Sequence, residues 1–259
     1  MPGRLEGRVI VVTGGASGIG EAMCRGMARE GADVVIADLN TALGESVASS
    51  IHADAGSASA VNTDVTDRAS VRDAVAHAVE AHGRLDAFFN NAGANSPLKF
   101  LDVTEQNWEF IMKVNALGVL IGMQEAAHQF IRQGGGGKIV NTASVASRTG
   151  FPNFAPYSAS KAAVLSLIQA GARALAPHKI TVNGFAPGVV ATPLWTQLDR
   201  DLEAIGEGDA GFDSLSSQIL QGRPAQPEDI VPTAIFLAAP DSDYMTGQVI
   251  AIDGGMILV

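Results

Sequence analysis

Cysteine is nearly absent: Cys24 stands alone in 259 residues, so no internal disulfide can form. It falls in what reads below as the first helix, where a small core or interface residue is favoured over a reactive thiol. Aromatic residues make up only 5% of the chain and charged residues 17%, against 47% apolar. That balance excludes a disordered chain and supports a large buried core. Basic residues are outnumbered, 17 against 27 acidic ones, for a formal charge of −10. Nucleic acid is therefore an unsuitable partner, because its phosphates need clustered cations. No uninterrupted apolar stretch approaches membrane-spanning length, and the opening MPGRLEGRVIVVTGG lacks the apolar region of a signal peptide. These absences predict a cytoplasmic protein without membrane or nucleic-acid partners. The five histidines show no ligand spacing and no Cys–His cluster exists, so no metal is expected and the histidines read as surface residues.

What is present is an alternation. Short runs rich in β-branched residues at 9–13, 34–38, 58–62, 85–90, 138–142, 180–186 and 248–252 read as strands. Helical patterns separate them at 18–30, 42–51, 68–81, 105–132, 156–176 and 227–238, with a less regular helical stretch over 193–222. The four glycines at 134–137 end the longest helical pattern and read as a helix-to-strand turn. Such alternation predicts α/β architecture, a parallel sheet of about seven strands covered by helices on both faces. Right-handed crossovers make it doubly wound. No linker or repeat interrupts residues 1–259, so one domain is expected, with GEGDAG at 206–211 as a mobile spot.

The first strand runs into Thr13-Gly14-Gly15-Ala16-Ser17-Gly18-Ile19-Gly20 and then a helix. Glycines there let the backbone approach a pyrophosphate, and a helix N-terminus offers free N–H groups. A glycine-rich turn alone is weak evidence, since tight turns need glycine anyway. Its position between strand and helix strengthens it. Asp38 ends the second strand, where a carboxylate can accept hydrogen bonds from adenosine ribose hydroxyls and would repel a 2′-phosphate. Its neighbours Ala37 and Leu39 supply no compensating cation. A solvated acid at a strand end is common, but the two features agree within one βαβ unit and favour NAD over NADP.

TGGASGIG, then NNAG at 90–93, Ser144, Tyr157-Ser158-Ala159-Ser160-Lys161 and Pro187-Gly188 together resemble the short-chain dehydrogenase/reductase family over essentially the whole chain. The resemblance implies a Rossmann-type doubly wound sheet and a nicotinamide cofactor. It implies that Gly14, Ser17, Gly18, Ile19 and Gly20 hold the pyrophosphate and that Asp64 and Val65 flank the adenine. Asn91, Ala92 and Gly93 would line the cofactor, and Pro187, Gly188, Val190 and Thr192 would hold the nicotinamide carboxamide. Read alone, Asp64 is a strand-end acid and Thr192 a helix N-cap.

Tyr157 and Lys161 are spaced i, i+4 in a helical stretch and share a face. A free tyrosine, with a pKa near about 10, is a poor base at neutral pH. A close ammonium favours the phenolate, as an oxidised nicotinamide would. Ser144 follows the fifth strand, at the carboxyl end of the sheet where α/β proteins bind ligands, and its hydroxyl can bond a substrate oxygen. The resemblance makes Tyr157 the general acid/base, with Lys161 also on the nicotinamide ribose. It gives Asn115 a backbone carbonyl that holds a water linking Lys161 to solvent. Each residue has an ordinary structural reading by itself; the combination in order is what points to an alcohol dehydrogenase or carbonyl reductase.

Substrate selectivity is expected from a lid at 193–222, through Leu194, Trp195, Leu198, Phe212 and Leu215, and from Val145, Phe151 and Phe154 before the catalytic helix. In its C-terminal motifs, TPLW at 192–195, RPAQPEDI at 223–230 and DSDYMTGQ at 241–248, the chain looks like acetoin reductases, meso-2,3-butanediol dehydrogenases and related polyol dehydrogenases. Those enzymes carry polar residues at the positions of Val145 and Phe151, and this departure leaves room for a larger or more apolar secondary alcohol. Alternatives are a 3-oxoacyl thioester reductase, which Asp38 disfavours, and a non-catalytic NAD(H) sensor or scaffold, which the complete Asn–Ser–Tyr–Lys set disfavours. The resemblance also implies a homotetramer, with the apolar tail at 256–259 at an interface or capping its own sheet.

Overall fold

The computed structural model describes residues 3–258, so Val259 of the apolar tail lies outside the described residues. Seven strands form one sheet: β1 (Val9–Thr13), β2 (Asp33–Asp38), β3 (Ser57–Asn62), β4 (Ala87–Asn90), β5 (Gly137–Thr142), β6 (Ile180–Pro187) and β7 (Val249–Ile252). Their order is β3-β2-β1-β4-β5-β6-β7, and every neighbouring pair is parallel. The chain winds outward in one direction from β1 and then returns to wind the other way from β4. The crevice where the order reverses lies beyond the carboxyl ends of β1 and β4, the place where open α/β sheets bind ligands.

The helices are α1 (Gly18–Arg29), α2 (Thr41–Ala53), α3 (Arg68–His82), α4 (Glu105–Met112), α5 (Gly118–Gln133), α6 (Ala155–Leu175), α7 (Pro193–Ala204), α8 (Phe212–Ser216) and α9 (Pro227–Ala238). Strand side chains alternate between faces. Ile10 and Val12 of β1 join one core with Met23 and Met27 of α1 and Ile230 of α9. Val9 and Val11 join the other with Val71 of α3, Phe130 of α5 and Ile168 of α6. Because both faces are covered, β1 is buried at every position, which is why it reads as an unbroken apolar run. Cys24 is fully buried in the first core, and burial among apolar atoms pushes its thiol far up from the usual range.

Three differences from the sequence reading carry physical content. The helical pattern expected over 105–132 is interrupted by a π turn, Lys113–Leu117, in which the Gly118 N–H bonds the Lys113 carbonyl. One extra residue enters the turn there and draws Asn115 fully inside. The whole stretch Glu105–Gln133 is long and apolar enough by length and composition to cross a membrane, but 61% of its most apolar window is buried in the fold, as a core helix would be. Finally, His77 and His82 are half-buried rather than on the surface: His77 Nε2 meets Ser59 Oγ at 2.9 Å, and His82 lies 3.7 Å from Asp33.

Candidate active site

The glycine loop is locked to its neighbours by contacts that tolerate no side chain. Gly14 has a φ of +63°, and a Cβ there would lie 2.8 Å from the Ala92 Cα; one on Gly20 would overlap the Gly14 carbonyl. Asn91 ties the strand ends together. Its Nδ2 donates to the carbonyls of Thr13 (3.1 Å) and Gly14 (3.2 Å), while its Oδ1 accepts from Thr142 Oγ1 at 3.2 Å. The Ala92 N–H donates to Thr13 Oγ1. Ser17 sits at the N-cap of α1 but makes no side-chain cap bond, so the first amides of the helix, including Gly18 and Ile19, are open to an anion. A pyrophosphate fits this cradle.

Asp38 faces the loop from the end of β2. Its carboxylate accepts from the Ala16 N–H at 3.0 Å and the Asn40 N–H at 2.9 Å. A carboxylate offers about four acceptor sites, so about half remain for hydroxyl donors. No ion pair engages Asp38 among the described residues. Asp64, just past β3, accepts from the Thr66 N–H with Oδ1 at 2.8 Å, and Val65 packs where Gly118 begins α5. Gly93 approaches Asn115 and Lys161 so closely that a Cβ would lie 3.3 Å from Asn115 Oδ1 and 3.7 Å from Lys161 Nζ. At the end of β6, Pro187, Gly188 and buried Val190 lead to Thr192, whose methyl faces Gly18. Thr192 occupies the N-cap of α7 but makes no cap bond with its hydroxyl. Its hydroxyl is thereby free for a ligand, as the N-cap reading alone would not suggest.

Tyr157 and Lys161 lie in the first turns of α6, and Ser144 in the turn after β5. The Lys161 Nζ sits 5.7 Å from the centre of the Tyr157 ring and donates to the Thr142 carbonyl at 2.8 Å. Burial lowers the Lys161 ammonium to about 8. Burial also raises the Tyr157 phenol, and a hydrogen bond from Ser144 offsets part of that rise. The expected lowering by Lys161 is absent: its charge turns to the Thr142 carbonyl and desolvation dominates. Asn115 is held through its side chain. Its side chain bonds the Ala94 N–H and carbonyl, both at 2.8 Å, and Ser160 Oγ at 3.1 Å, so it clamps the loop after β4 to α6. The π turn around it was invisible in the sequence because one inserted residue barely disturbs a helical apolar pattern.

Above Ser144 and Tyr157 lies a cavity of about 130 Å³. Val145, Phe151, Leu194 and Trp195 line it, joined by Phe154, Leu198 and Leu215. Trp195 meets Phe154 edge-on at 6.5 Å and Phe212 at 5.6 Å, so the 193–222 segment stacks on the start of α6. Asn95 and Met256 also line the cavity; sequence reasoning passed over Asn95 and placed Met256 only in the apolar tail, because the chain's path alone brings them there.

A parallel sheet with a glycine cradle at its reversal point, beside buried Ser144 and Lys161 and half-buried Tyr157, defines a nicotinamide-dependent oxidoreductase. The chain belongs to the short chain dehydrogenase family, whose model matches residues 8–203. It is similar to the L-2,3-butanediol dehydrogenase of Corynebacterium glutamicum, 41% identical over 254 residues covering 96% of this chain and 98% of the relative. It is also similar to a diacetyl reductase, (S)-acetoin forming, of Staphylococcus epidermidis, 35% identical with 96% and 98% covered. Among solved structures, a short-chain type dehydrogenase/reductase from Mycobacterium marinum matches with a TM-score of 0.90 and 33% identity, covering 98% and 97% of the two chains. The protein is therefore an enzyme of CH–OH oxidation and carbonyl reduction.

Proposed function

We propose that the protein is an NAD(H)-dependent dehydrogenase of small secondary alcohols and the matching ketones, of diol, polyol or hydroxyketone type. The observation that carries this reading is the convergence of Ser144 and Tyr157 on one small, mostly apolar cavity, with buried Lys161 5.7 Å from the centre of the Tyr157 ring. A bound nicotinamide supplies the hydride acceptor or donor. In the oxidative direction the Ser144 hydroxyl holds the substrate oxygen, and Tyr157 as phenolate removes the hydroxyl proton. Lys161, with its Nζ 5.7 Å from the centre of the Tyr157 ring, passes the proton on towards water at the Asn115 carbonyl. Reduction reverses each transfer. The lid 193–222 closes through Trp195 and Phe212 and keeps water from the transferring proton.

Asp38 supports NAD over NADP, since its free acceptor sites suit ribose hydroxyls and repel a phosphate. The cavity lies below the range of about 300–1,000 Å³ typical of drug-sized ligands, which favours a small alcohol over a long acyl thioester. The names of the relatives agree with a short diol or hydroxyketone. Exposed apolar side chains on the α4–α5 face, Trp108, Phe110 and Leu117, and Leu258 beyond the edge strand β7 support two contact surfaces and a homotetramer. The single unpaired cysteine suits the cytoplasm. Absorbance at the reduced-nicotinamide band tests the proposal, with both cofactors against secondary alcohols, diols, polyols and ketones. Turnover that prefers NAD(H) supports it. A clear NADP(H) preference sinks the Asp38 reasoning, and binding of NADH without turnover of any panel member favours a sensor.

A further inference from the structure

Asn95 is a polar lining group that the proton-transfer chain does not use. It lies on the loop after β4 and shares the cavity with Ser144 and Tyr157. Its Oδ1 accepts from the Ser96 N–H at 2.9 Å, and that bond fixes which end of the amide is oxygen. The Nδ2 end has no hydrogen-bond partner among the described residues, and it is not sealed away from space as a buried orphan. The loop itself is pinned on both sides of Asn95. Asn115 grips Ala94 through both backbone groups at 2.8 Å, and Asn107 Nδ2 donates to the Ser96 carbonyl at 3.2 Å. A donor held this firmly binds an acceptor with little ordering cost.

We propose that the Asn95 Nδ2 hydrogen-bonds a second substrate oxygen, on the carbon beside the reacting one, and so selects α-diketones, α-hydroxyketones and vicinal diols over monofunctional ketones and alcohols. The adjacency is suggested by placement: Asn95 lines the same cavity as Ser144 and Tyr157, so its donor faces a substrate held between them. The selectivity follows from the apolar walls. A substrate without that oxygen leaves the donor unpaired once water is excluded, which such sites reject strongly. This inference rests on the secondary-alcohol reading above.

The test compares 2,3-butanedione with 2-butanone, the same carbon skeleton with and without the second oxygen, for the wild type, Asn95→Leu and Asn95→Asp. Asn95→Asp keeps the acceptor for the Ser96 N–H and puts a charged oxygen where the donor was, so it guards against a merely structural loss. Both variants are expected to lower kcat/KM on the dione about tenfold, the effect of one buried hydrogen bond, and to narrow the preference for the dione over 2-butanone by at least that factor. An equal fall on both substrates, or no fall on the dione, overturns the inference and leaves the oxidoreductase reading intact. A wild type that reduces neither compound with either cofactor overturns both.

Discussion

Lys161 is a charge held in the core, and its burial makes a quantitative prediction for Lys161→Met. The side chain is 3% exposed, with the Thr142 carbonyl as its hydrogen-bond partner. A fall of its pKa from 10.5 to about 8 corresponds to about 3 kcal/mol, at about 1.4 kcal/mol per pH unit. The unfolded chain holds this proton more tightly than the folded one. Below about pH 8 both states are charged and the folded state bears the whole penalty; between about 8 and 10.5 the folded lysine gives up its proton first, so stability rises with pH. Lys161→Met cannot show that rise. Urea unfolding followed by circular dichroism, at equal protomer concentration, should show the wild type gaining about 2 kcal/mol on the variant from about pH 7 to about pH 10. A stability difference that stays flat with pH, or that moves towards the variant as pH rises, would refute the reasoning.

Three further outcomes follow from the site. Asp38→Asn keeps an acceptor but removes the charge, so kcat/KM with NAD⁺ should fall about tenfold or more while that with NADP⁺ rises; steady-state rates with each cofactor check it. Gly20→Ala places a methyl on the Gly14 carbonyl and should cost about 1–3 kcal/mol of stability, with a parallel loss of NADH affinity read by fluorescence titration. Trp195→Ala removes the edge contacts to Phe154 and Phe212, each worth about 0.5–1.5 kcal/mol. It should raise the substrate KM about tenfold with almost no change in melting temperature, because the proposed lid opens without unfolding the sheet.

The strands were legible because a sheet covered on both faces writes itself as apolar runs, and β1 was placed to the residue. The start of β4 was not: Leu85 is fully buried and reads like a strand residue, yet its backbone is engaged by the Gln133 side chain, which donates to its carbonyl and accepts from its N–H. The motif residues were legible as a set, and they converge at one end of the sheet. What they do to each other was not. Whether Lys161 points its charge at Tyr157 or at the Thr142 carbonyl depends on a neighbouring strand, and no helical spacing encodes it. Nothing in the sequence marks the side chain of Asn115, whereas the π turn buries it and makes it a clamp for Ala94. Asn95 escaped notice for the same reason: its importance comes from what pins its neighbours.

The most direct test of the central claim is the rate of NADH oxidation with 2,3-butanedione by the wild type and by Tyr157→Phe. Removing only the phenolic hydroxyl should leave NADH binding in place and lower turnover by about 10²–10⁴-fold, the usual range for a lost general acid. Turnover in Tyr157→Phe within a few-fold of the wild type would contradict the assignment of Tyr157 as the proton donor.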